Sequence, residues 1–63
     1  MTQKELSYFE DAIGHEKSII SIIDESIKNL DDDNLISFLE QEKQDHTNLK
    51  DKLMNLLEGK INE

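Results

Sequence analysis

The stretch "NLDDDNL", residues 29–35, decides how this chain folds. Helical periodicity runs up to it and resumes after it. Asp31, Asp32, Asp33 and Asn34 bond readily to nearby backbone, so they are poor inside a helix and good in turns and N-caps. Their carboxylates also suit the positive end of a following helix. An aspartate run can suggest calcium, but the EF-hand spacing and its turn glycine are absent. The reading is a turn at residues 31–33 that caps a second helix.

Working back from the turn, apolar residues recur at Leu6, Phe9, Ile13, Ile20, Ile23, Ile27 and Leu30. The steps alternate three and four, as in a packed helical seam. Glu16 fills the seam position between Ile13 and Ile20. Thr2 and Glu5 have capping-box spacing, so helix 1 is expected over about residues 3–30. Working forward, the seam reads Leu35, Leu39, Glu42, His46, Leu49, Leu53 and Leu56. Gly59 stands where a C-terminal cap is expected, so helix 2 should span about residues 34–58, with "KINE" fraying beyond it. The fold class is all-α: one antiparallel helical hairpin occupying residues 1–63 as a single domain.

Both apolar faces are wider than one helix–helix contact needs. Helix 1 adds Ala12, Ile19 and Ile22; helix 2 adds Ile36, Phe38, Met54 and Leu57. A lone hairpin would leave this surplus in water, whereas two hairpins packed together form a four-helix bundle that hides it. A homodimer with C2 symmetry is the expected solution, and docking on a different protein is the other one. A 63-residue chain needs such help, because it buries a small fraction of its surface. It has no cysteine, so neither disulfides nor thiolate zinc sites can supply it.

The absence of proline and the presence of only two glycines agree with helix throughout. A net charge of −8 repels phosphate backbones, so neither nucleic acid nor an anionic membrane is expected as a partner. The apolar cluster "IISII" at 19–23 is far too short to span a bilayer. The opening "MTQKELSYFEDA" lacks a signal-peptide core, and a soluble cytoplasmic protein is expected.

Glu16, Glu42 and His46 interrupt seams that are otherwise apolar. In a hairpin turning at 31–33, Glu42 lies level with Ile23 and Asp24. His46 lies level with Ile19 and Ile20, and Glu16 with Leu49 and Lys50. The three therefore occupy neighbouring layers, about one 5.4 Å helical turn apart. Three readings follow. They are a hydrogen-bonded pair that specifies register, a metal site of carboxylates and imidazole facing inward, or groups reaching water where the bundle splays. His15 lies off the seam, with a solvated or flanking position expected.

The segments "AIGHEKSIISIIDESI" and "FLEQEKQDHTNLKDKLMNLL" resemble the two helices of a ferritin-like or rubrerythrin-like hairpin. They are also similar to the short encapsulated-ferritin type, in which a hairpin dimerises to complete its site. That resemblance implies a glutamate from helix 1 and Glu-x-x-His from helix 2, binding iron, manganese or zinc. Glu16 and His46 match; Glu42 stands four residues before the histidine, and Lys43 holds the three-residue position. The length and acidic turn also resemble the Rop family of plasmid copy-control dimers, which implies architecture alone. Its members bind RNA through a basic face, whereas the seven lysines here are scattered among fifteen acids.

No phosphate loop, thiol nucleophile or Ser–His–Asp constellation can be assembled, and a bundle this small offers no pocket of ordinary ligand size. Enzymatic activity is therefore not expected. Two functions follow: an acidic, dimeric interaction or regulatory module, or a ferritin-like metal-binding bundle using Glu16, Glu42 and His46.

Overall fold

A computed structural model describes residues 1–62 and shows two helices packed against each other, α1 (Gln3–Lys28) and α2 (Asp33–Ile61). Each begins where side chains satisfy its first N–H groups. At α1, Thr2 Oγ1 accepts from the Glu5 N–H at 3.1 Å, and the Thr2 N–H donates to Glu5 Oε1 at 2.8 Å. The Thr2 backbone donor and then its hydroxyl hold the Glu5 carboxyl below its ordinary range. At α2, Asp32 Oδ1 accepts from Asn34 N–H at 2.9 Å and Leu35 N–H at 3.0 Å.

Asp32 is thus the one member of the acidic run that caps. Asp32→Ala should cost about 1 kcal/mol, whereas Asp32→Asn should be near neutral, since both native and Asn side chains accept at an N-cap. Urea midpoints of the two variants check this; equal losses would mean that the charge, not the cap, matters.

Both helix ends differ from expectation. α1 stops at Lys28 rather than near Leu30, because Asn29 Nδ2 donates to the Glu25 carbonyl at 2.8 Å and Leu30 N–H tightens onto Ile27 at 3.3 Å. α2 runs through Gly59 to Ile61, and no glycine among the described residues adopts positive φ. Leu57 and Ile61 line a groove with Ile13 and Met54. Leu57 before Gly59 is half-buried while Ile61 after it is 63% exposed, so the helix carries Gly59 at a cost of roughly 1 kcal/mol. Lys60 and Ile61, expected to fray, are helical and Asn62 caps; Glu63 lies outside the described residues.

The seam of α1 is the expected one: Leu6, Phe9, Ile13, Ile20, Ile23, Ile27 and Leu30 are all half-buried or buried. The seam of α2 is turned. Leu39, His46 and Leu53 face α1, flanked by half-buried Ile36, Lys43, Lys50 and Leu57. The other expected seam row carries Leu35, Glu42, Leu49 and Leu56, and its three leucines are exposed. The physical reason is that α2 has two adjacent apolar rows and a single neighbouring helix can cover only one.

The molecule is consequently a flat rod of 47 × 15 × 11 Å. Among the described residues, Ile13 and Ile23 alone are buried, still 8% and 7% exposed, while nine large apolar side chains are exposed.

Candidate functional site

Glu16 and His46 meet at mid-height in the seam. Glu16 sits on the inward face of α1, one heptad before Ile23, and His46 sits on the inward row of α2 between Leu39 and Leu53. His46 Nδ1 lies 2.5 Å from Glu16 Oε2, with the Glu16 side chain only 12% exposed. An ionised carboxylate only accepts, so with Glu16 ionised the ring nitrogen is the donor. His46 Nε2 points the other way, 3.7 Å from Glu42 Oε2, beyond hydrogen-bond length. Glu42 is one helical turn from His46 on α2, and its side chain is 38% exposed.

The imidazole therefore stands between two carboxylates, one on each ring nitrogen. Glu16, Glu42 and His46 are brought together, but as a line rather than a cage. Among the described residues, no group of three or more His, Cys, Asp or Glu side chains is arranged to hold a metal ion. His15 is exposed and takes no part in the line.

One cross-helix contact escaped the sequence reading. Lys43 Nζ lies 2.6 Å from Asp24 Oδ1 with both side chains about two-fifths exposed. At 100° per residue, Lys43 and Glu42 diverge around α2. Lys43 closes the seam on one face of the hairpin, and Glu42 opens onto the other. The available signal was the level pairing of residue 24 with residue 42, which puts Asp24 opposite Lys43. An exposed pair of this kind contributes little to stability.

The faces differ in kind. The helix geometry places Tyr8, Ile19 and Ile22 on the same flank of α1 as the Leu35–Glu42–Leu49–Leu56 row occupies on α2. Grooves shared by both helices mark this face at each end. Leu35 and Phe38 line one with Ser26, Asn29 and Leu30, and Leu56 lines the other with Met1 and Phe9. The opposite face carries the Lys43–Asp24 pair and the Ile13–Met54–Leu57 groove. That groove measures about 600 Å³, a volume that small ligands occupy, but it is a trough open to solvent along its length. No helix of the described residues is long and apolar enough to cross a membrane.

Comparison with known proteins finds no matching family model, no matching curated protein and no matching solved structure.

Proposed function

We propose that the protein is a small acidic interaction module whose working form is a homodimeric four-helix bundle, serving a regulatory or recruiting role through its outer faces. One observation carries the reading: the hairpin leaves nine large apolar side chains among the described residues exposed. Its accessible surface is 4853 Å². A folded monomer of 7.3 kDa exposes about 4150 Å². The excess, roughly 700 Å², is close to the ~800 Å² per partner that a specific interface of standard size covers. Six of the nine exposed large apolar side chains, Tyr8, Ile22, Leu35, Phe38, Leu49 and Leu56, share one face, as expected of a surface meant to be covered.

Association stabilises folded chains by mass action, so the melting temperature should rise with protein concentration. Sedimentation equilibrium should show a dimer at micromolar concentration. A compact, stable monomer at several hundred micromolar would overturn the reading.

The convergence of Glu16, His46 and Glu42 favours a second reading, a ferritin-like bundle holding iron, manganese or zinc. Because each ring nitrogen faces its own carboxylate, that reading needs ligands from a second copy. Thermal unfolding with and without Fe²⁺, Mn²⁺ or Zn²⁺ separates the two. A metal-induced rise in melting temperature that disappears in the Glu42→Gln/His46→Gln double variant selects the metal reading. No response in either protein, with the dimer intact, selects the interaction module.

A further inference from the structure

We infer that the second copy packs head-to-tail on the face bearing Tyr8, Ile22, Leu35, Phe38, Leu49 and Leu56, so that each acidic turn lies beside the open end of its partner. This rests on the dimer reading and adds the face and the orientation.

The face follows from exposure. These six side chains are between 43 and 65% exposed, and they come from both helices. On α2 they include the heptad row that the hairpin seam leaves uncovered. A second hairpin laid on this face turns each such row into the seam of a new helix pair, as knobs-into-holes packing in a four-helix bundle requires. The opposite face is less suited, because it carries the Lys43–Asp24 pair towards the turn and fewer exposed large apolar side chains, Met54 and Ile61.

The orientation follows from charge. Two C2 arrangements bury the same face: one sets the two turns side by side, and the other sets them at opposite ends. The turn end, residues 24–33, carries five carboxylates and one lysine. The open end, residues 1–12 and 50–62, carries four lysines and five carboxylates. The hairpin is therefore strongly negative at one tip and close to neutral at the other. Turns side by side would place two clusters of like charge within about two Debye lengths, taking ~8 Å for each at physiological salt. Head-to-tail packing separates them by most of the 47 Å rod and sets each against lysines. Lys28 does little to neutralise the tip, since it reaches only Glu25, at 3.9 Å and largely in water.

The chain has no cysteine, so a spin label at Asn34→Cys, an exposed position beside the turn and 13 residues from the middle of α2, is unique. Pulsed dipolar spectroscopy should give a separation of about 40 Å or more, from the 1.5 Å rise per residue on each side of the dimer centre. A separation below about 30 Å overturns the orientation while leaving the dimer. No dipolar coupling, with monomeric sedimentation, overturns both. The face is tested by Leu49→Asp and Ile22→Asp, with Asp51→Ala as control. Each of the first two should raise the dissociation constant at least tenfold while the far-ultraviolet spectrum stays helical, and the control should change it less than threefold. A dimer unaffected by either substitution overturns the choice of face.

Discussion

Replacing Ile23 by aspartate should abolish the cooperative thermal transition altogether. Ile23 is 7% exposed and, with Ile13, is one of the two buried side chains among the described residues. Losing its side chain forfeits roughly 1.5–3 kcal/mol of burial. The carboxylate that replaces it has no cation to pair with: Lys43 is engaged with Asp24, and Glu42 lies at the same level. An unpaired buried charge brings the total to several kcal/mol. A core this small supplies only ~3–5 kcal/mol, so the variant should be unfolded at 25 °C. The neighbouring Ile22 is 65% exposed in the hairpin. Ile22→Asp should therefore retain helical content and, under the proposed dimer, lose only the association. Circular dichroism melts of the two variants at matched concentration check this. Equal loss of helix in both would mean that the rotation of α1 about its axis is wrong.

The second large effect concerns Glu16 and His46. His46→Leu alone should destabilise by about 2 kcal/mol, because it leaves the Glu16 carboxylate, 12% exposed, without its donor. Glu16→Leu/His46→Leu should recover that loss and can exceed the wild type, since it removes both desolvated groups and fills the seam with apolar volume. Denaturant midpoints for the two single variants and the double form a cycle that isolates their coupling. Additive effects would show that the 2.5 Å contact contributes nothing specific.

The line through Glu16, His46 and Glu42 also suggests why a polar layer persists in such a narrow seam. The hairpin has few buried positions with which to choose between registers. Slipping α2 by one turn would move His46 away from Glu16, setting His46 beside Ala12 or Ile20 and Glu16 beside Glu42 or Lys50. The penalty for that slip is the loss of the Glu16–His46 contact and an imidazole left without its carboxylate partner in the seam. Uniform leucine at both sites would remove the penalty and with it the preference for one register, as core polar residues do in coiled coils.

What the sequence determined by itself is local. The Thr2–Glu5 box and an acidic turn at 31–33 capping a second helix depend on atoms within four residues, so residue types alone specify them; that α1 ends at Lys28 and that Asp32 is the cap came from the structure. The helical period likewise marks the inward face of α1, where a single apolar stripe leaves no choice. Glu16, Glu42 and His46 were legible as interruptions because charge at an apolar position stands out against that period. What only the tertiary structure decided is everything that depends on two helices at once. α2 has two apolar rows, and which of them meets α1 is set by how Ile36, Leu39 and Leu53 pack against it. That choice exposes Leu35, Leu49 and Leu56. The same rotation sends Glu42 to one face and Lys43 to the other, and it aims each nitrogen of His46 at a different carboxylate. Leu57 lines the same groove as Ile13, 44 positions away along the chain, and the helix passes Gly59 without a positive φ. A propensity summed over neighbours carries no information about a contact at that distance.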